Sequence, residues 1–262
     1  MSETVRISFE NRVAILELNR PDAMNAVDLD MRRELMAALD RVARDANVGA
    51  VVLAAAGKGF CSGSDLKAAA VSPDTSLRRT ARTLLHDFQP ILETIARMDK
   101  PVIAAVNGAA VGVGMSLVLA CDLVVMAQNA FLLAPFVTIG LIPDGAAAWF
   151  LVQRIGYART FEVLAESQKL SADRCLEWGI TNRVVAATDL RGEVLKWADS
   201  LATRAPLALA LTKRVARLAG SVGLSETLTI EAELQTFLAA TEDAREAIAA
   251  FSDKRPPRFH GR

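Results

Sequence analysis

Apolar and polar positions alternate at the start of the chain and then change to helical spacing. Val5, Ile7 and Phe9 alternate with polar residues; Ala14, Leu16 and Leu18 share one face, Val13 and Ile15 the other. With Glu10-Asn11-Arg12 as a polar turn, residues 4–9 and 12–18 are predicted to form a β-hairpin. Asp28 is a predicted N-cap, after which Met31, Leu35, Leu39 and Val42 recur on one helix face to about Ala46. The short apolar runs Ala50–Ala55, Pro101–Val106 and Leu123–Ala127 predict buried strands. Residues 65–85 begin polar and irregular around Ser72-Pro73-Asp74, which predicts a mobile loop leading into a helix over 79–98. Beyond Gly145 the spacing is helical over 145–155, 158–166, 172–178, 190–203, 206–219, 225–240 and 242–251. Strands and helices mix in the first half and helices dominate the second, an α/β core followed by a helical cap or assembly module.

One stretch complicates this picture. Residues 102–121 carry no charge and match a membrane span in hydropathy. Asn107, Gly108, Gly112 and Gly114 interrupt it where a turn would sit, so strand, glycine turn and buried helix is the expected reading. The 262 residues hold 30 basic and 30 acidic side chains, and that balance excludes a general electrostatic footprint for nucleic acid. Cys61, Cys121 and Cys175 are odd in number and lack metal-ligand spacing. MSETVRISFENR carries charges where a secretory signal needs an apolar run. A reducing, cytoplasmic setting with no membrane association is therefore expected, and no metal site.

Three segments carry candidate chemistry. GFCSGSDL (59–66) comes directly after a buried strand, and NGAAVGVG (107–114) runs from a strand into a helix. Amides at such turns and helix starts lack intrahelical acceptors, and two aimed at one point would stabilise a carbonyl oxygen gaining negative charge. Each segment alone reads equally as a structural glycine turn. GLIPDG (140–145) matters for its surroundings: between Asn107 and Gly156 the only carboxylates are Asp122 and Asp144. Asp144 is either the N-cap of the next helix or a desolvated base lined by Phe136, Leu141, Ile142 and Trp149. Apolar burial would raise its pKa; helix-start amides would lower it.

Taken in order, NRPDAMNA (19–26), GFCSGSDL (59–66), KPVIAAVNGAAVGVG (100–114), ACDLVVMA (120–127) and IGLIPDG (139–145) resemble the crotonase (enoyl-CoA hydratase/isomerase) superfamily. The likeness extends to EDAREAIAAFSDKRPPRF (242–259). It implies a spiral of ββα units over 1–195 and a C-terminal helical trimerisation region over 196–262. It also implies acyl-CoA substrates, homotrimers or hexamers, and no cofactor, since CoA enters as part of the substrate. The family's oxyanion hole maps onto the amides of Ser64 and Val113, flanked by Gly112 and Gly114. Val113 replaces the usual glycine, and a β-branched residue there narrows the allowed backbone. Ser64, Asp65, Leu66 and Lys67 match the acyl-CoA contact region, Ala23 the CoA channel, and Lys254 a residue reaching CoA phosphates from a neighbouring subunit.

The resemblance also discriminates between reactions. Hydratases of the superfamily place glutamates at the positions of Ser116 and Phe136, so the two-glutamate hydration route is not expected. Phe136 is expected to shape the acyl pocket and Ser116 to pack a helix. Asp144 matches the single acid of the 1,2-epoxyphenylacetyl-CoA and 3-enoyl-CoA isomerase branch. One carboxylate can remove a proton from C2 and return it at C4 while the oxyanion hole holds the dienolate. The alternatives are a hydratase-like enzyme, an acyl-CoA hydrolase using Asp65, and a non-catalytic acyl-CoA binder. A Cys61–His86 pair is a further alternative, set against an inert buried cysteine.

Overall fold

The computed structural model describes residues 3–65 and 79–262. The hairpin forms as predicted: β1 (Val5–Glu10) pairs antiparallel with β2 (Val13–Leu18), Val5 opposite Leu18. β2 is almost wholly buried, and β3 (Ala50–Ala55) pairs with it in parallel on its other edge. β4 (Val102–Val106), β6 (Leu123–Ala127) and β9 (Arg183–Val185) complete a six-stranded sheet in the order β1-β2-β3-β4-β6-β9. Between β2 and β3 runs α1 (Leu29–Arg44), whose first turn is closed by Asp28 accepting from the Met31 amide at 2.8 Å.

A second, smaller layer was not foreseen. β5 (Ala109–Val111), β7 (Phe131–Leu133) and β8 (Leu170–Ser171) form a three-stranded sheet. Single parallel bridges add Cys61 beside Ala110, and Ser64 beside Val27. Each turn of the chain thus contributes one strand to the large sheet, one short extended segment to the small one, and then a helix. This is the expected ββα spiral. The apolar stretch 102–121 is accordingly β4, β5 and the buried α4 (Val113–Ala120). Among the described residues no helix is long and apolar enough to cross a membrane.

Of the expected loop over 65–85, residues 66–78 lie outside the described residues. From Arg79 onward the chain is helical, as the spacing over 79–98 predicts: a turn α2 (Arg79–Arg82), a π-helical stretch (Thr83–Phe88), then α3 (Gln89–Arg97). The remaining helices agree with the spacing to within about two residues. They are α5 (Ala147–Ala165), α6 (Ala172–Glu177), α7 (Leu190–Ala202), α8 (Pro206–Leu218), α9 (Leu224–Ala239) and α10 (Glu242–Ser252). The two helices expected over 145–166 are the halves of α5, broken at Gly156 (φ 73°).

α8 is tied to the core through one carboxylate. Asp122, just after α4, pairs with Lys213 at 2.7 Å and Arg217 at 2.8 Å and accepts from the Val102 amide at 2.9 Å. Lys213 also donates to the carbonyls of Ile95 and Lys100, and Arg217 to that of Ala120, so the cations also satisfy carbonyls at or beyond the ends of α3 and α4. The Lys213 and Asp122 side chains are only 11% and 16% exposed. Removing one partner of such a buried cluster strands the rest. Asp122→Asn should therefore lower unfolding free energy by about 3–5 kcal/mol, read from urea denaturation.

Candidate active site

Two glycine turns lie against each other. The Phe60 and Cys61 amides both donate to the Ala109 carbonyl at 3.0 Å, and the Val111 amide donates to the Cys61 carbonyl at 2.8 Å. The contact is so close that a Cβ on Gly63 would lie 3.1 Å from the Val111 oxygen. The first turn is held from outside by residues 20–28. Val27 donates to the Gly63 carbonyl at 2.8 Å and accepts from the Asp65 amide at 3.0 Å, while the Asn25 side chain donates to the carbonyls of Ala56 and Gly59. Arg20 donates through both terminal nitrogens to Asp65 at 3.1 Å. Asp65 is thus engaged in holding the turn.

Among the described residues, the amides of Ser64 and Val113 donate to no acceptor. Val113 is the first residue of α4, where the helix dipole is positive. Its β-branch is accommodated because the left-handed conformation falls on Gly112 (φ 55°) instead. Gly114 is needed for packing: a Cβ there would meet the Cys61 oxygen at 2.5 Å and its Cβ at 2.7 Å. Ala23 ends a short 3₁₀ turn (Pro21–Ala23) beside Ser62.

Asp144 does not cap a helix. The residue before α5 is Ala146, itself left-handed (φ 58°), as is Gly145 (φ 60°), and no side chain caps the helix. The Asp144 Oδ1 atom is buried with no hydrogen-bond partner among the described residues, and burial raises the carboxyl pKa. Ser116, fully buried in α4, donates to the Asp144 carbonyl at 3.2 Å. Its Oγ lies 2.7 Å from where a Gly145 Cβ would stand, so a longer side chain at 116 would meet this backbone. Ser116 is three residues from Val113, ~4.5 Å along the helix axis. Asp144 is therefore one hydrogen bond from the helix whose first amide is unpaired.

Asp144 opens into a cavity of about 1000 Å³ between the helix over 79–97, the 141–150 segment and α8. Leu84, Phe88 and Leu92 form its apolar side, four residues apart on one helical face. Leu141, Ile142 and Trp149 line it as expected, but all three are more than half exposed. Phe136 does not line this cavity. It is buried, with its ring tip 3.7 Å from where a Gly112 Cβ would stand, and so packs against the second glycine turn. Leu66 and Lys67 lie outside the described residues. Lys254 is exposed after α10 and is not brought to the cavity within one chain. Cys61 is fully buried and its thiol is pushed up to about 12 by that burial, so it is no nucleophile; His86 is exposed on the π-helical stretch. No group of three or more His, Cys, Asp or Glu among the described residues could hold a metal ion. The sequence reading missed Lys213, Arg214 and Arg217, which wall the cavity from α8; their shared helical face was the available signal.

A ββα spiral with two unpaired amides, and a partly buried carboxylate whose backbone is bonded to the helix that one of them begins, has the architecture of a crotonase-type enzyme. Residues 8–262 match the Enoyl-CoA hydratase/isomerase family, and the chain belongs to it. It is 37% identical to a probable enoyl-CoA hydratase of Rhodobacter capsulatus, over 99% of this chain and 98% of the relative. It is 34% identical to the 1,2-epoxyphenylacetyl-CoA isomerase of Escherichia coli, over the full length of both. A crystal structure of an enoyl-CoA hydratase subunit from Geobacillus kaustophilus superposes with a TM-score of 0.91, at 35% identity and covering all of both chains.

The close approach at Gly114 gives a direct test of the paired turns. Gly114→Ala must push α4 away from Cys61, and overpacking of this kind costs about 1–3 kcal/mol. A lowered melting temperature is expected; an unchanged one would mean that the turns are free to separate.

Proposed function

We propose that this chain is an enoyl-CoA isomerase, in which Asp144 carries a proton between two carbons of a thioester dienolate. The carrying observation is the Asp144 carboxylate: half-buried, with Oδ1 unpaired among the described residues, opening into the cavity, and with its pKa raised by burial. A general base that must also release its proton as an acid works best when its pKa is moved toward the working pH. In this reading the amides of Ser64 and Val113 receive the thioester oxygen as it becomes an enolate. Asp144 takes a proton from C2 of a 3-enoyl-CoA and returns it at C4, so the double bond moves into conjugation. No redox change or cofactor is involved, and CoA is part of the substrate. The full-length likeness to an isomerase supports this reading.

Hydration is the second reading, favoured by the likeness to a probable enoyl-CoA hydratase. It would require Asp144 to activate water without a second carboxylate at Ser116 or Phe136. The two are separated by assaying one preparation for 3-enoyl-CoA isomerisation and for 2-enoyl-CoA hydration. Asp144→Asn should lower isomerisation by about 10²–10⁴-fold, the usual worth of a positioned proton-transfer group, while acyl-CoA binding persists. Hydration that dominates in the wild type, or isomerisation untouched by the substitution, would overturn the reading.

The raised pKa also fixes the direction of two pH effects. The base must be ionised, so kcat/KM should fall as pH falls, with a midpoint above the ordinary aspartate value of 3.8. For stability, the folded state binds this proton more tightly than the unfolded state. Its contribution is present at low pH and lost as pH rises through the folded pKa. Wild type should therefore lose melting temperature relative to Asp144→Asn between acid and neutral pH.

A further inference from the structure

The wall of the cavity supplied by α8 carries positive charge that the fold itself does not use up. Lys213, Arg214 and Arg217 all line it, Lys213 and Arg217 four residues apart on the helix. Behind them Asp122 is shared by Lys213 and Arg217, and buried Arg154 donates to the carbonyls of Leu119 and Cys121 rather than to a carboxylate. Three cations thus surround one carboxylate. The crowding has consequences: burial lowers the pKa of Lys213, and burial brings Arg154 down to about 10, with Arg217 pushing both the same way. Capping helix ends accounts for the Lys213 ammonium, which has three acceptors, and for Arg217 Nη2, which meets Asp122 and the Ala120 carbonyl. It leaves the Nε of Arg217, which has no acceptor among the described residues, and Arg214, which forms no ion pair there. The carboxylates that also line the cavity are placed elsewhere: Glu93 pairs with Arg97 at 3.7 Å, Asp99 is exposed, and Asp144 sits on the 141–150 segment.

We propose that the α8 wall receives an anionic group, in the simplest case a carboxylate, at the end of the acyl chain remote from the thioester. An apolar passage along Leu84, Phe88 and Leu92 would hold the methylenes, and Arg217 and Arg214 the charged end. Arginine suits this task because its fork can take both carboxylate oxygens. The inference rests on reading the Asp144 cavity as the acyl pocket.

Calorimetric binding of two saturated CoA thioesters of equal length, adipoyl-CoA and hexanoyl-CoA, tests this without any turnover. Wild type should bind adipoyl-CoA about tenfold or more tightly, the value of one charge-assisted hydrogen bond. Arg217→Gln and Arg214→Gln should each shrink that ratio. Because Arg217 also holds the core, exposed Arg214→Gln carries the test if Arg217→Gln does not fold. Equal affinity for the two ligands would overturn the proposal. So would a ratio indifferent to both substitutions, or a parallel weakening of both ligands, which would assign the cations to CoA phosphates. A binding preference without turnover of 3-enoyl-CoA substrates would instead count against the isomerase reading alone.

Discussion

The site depends on two short backbone segments being held in register. Amides of residues 60 and 61 bond to Ala109, and that of Val111 returns to Cys61, so neither glycine turn can shift without breaking the other's hydrogen bonds. This pairing places the two free amides: Ser64 lies just past one segment, and Val113 heads α4 just past the other. Preorganised dipoles stabilise a developing charge because they need not reorient when it appears. Here that rigidity comes from main-chain pairing, reinforced by glycines that cannot be enlarged without collision. It is independent of the side chains at 64 and 113, so a valine at 113 leaves the amide in place.

The carboxylate is placed by a different device. α4 carries Val113 at its start and Ser116 one turn later, and Ser116 grips the carbonyl of Asp144. Left-handed Gly145 and Ala146 then turn the chain sharply into α5. A non-glycine residue in that conformation costs about 1–3 kcal/mol and persists only where the surroundings impose it. The strain sits next to a carboxylate with one buried, unpaired oxygen, and both are unfavourable for folding alone. Local cost gathered at one loop is expected where geometry serves chemistry. Ser116 is thus part of the support for Asp144.

All of the large sheet except β9 (Arg183–Val185), and nearly every helix, could be read from the chain, because long runs with period two or 3.6 report directly on burial. The small sheet could not. Strands such as Ala109–Val111 and Phe131–Leu133 are too short for periodicity to register, and their pairing is with distant segments. The same limit hid the cap of α5, since a left-handed Ala146 has no sequence marker. Asp144 itself stood out because so few charged residues surround it, but whether it capped a helix depended on a turn geometry that one sequence does not encode locally. The packing of Phe136 against Gly112 joins segments distant in sequence, so no local pattern marks it. Lys213 and Arg217 were invisible as site residues because their neighbours in space, Asp122 and the carbonyls of Ile95 and Ala120, are about a hundred residues away in sequence.

That distant cluster connects the stability of the fold to the shape of the site. Asp122 comes just after α4, so the carboxylate that anchors α8 sits at the opposite end of the helix whose first amide faces the glycine turns. Replacing a buried ion cluster by apolar packing is often neutral or stabilising, so a charged anchor is a weak choice if attachment were its only purpose. The cluster also carries more positive than negative charge, which weakens it further as an anchor. Both features make physical sense if the same side chains face a ligand as well as the core. The anchor then supplies a fixed positive wall to the cavity, and its imperfect neutralisation leaves attraction available for an incoming anion.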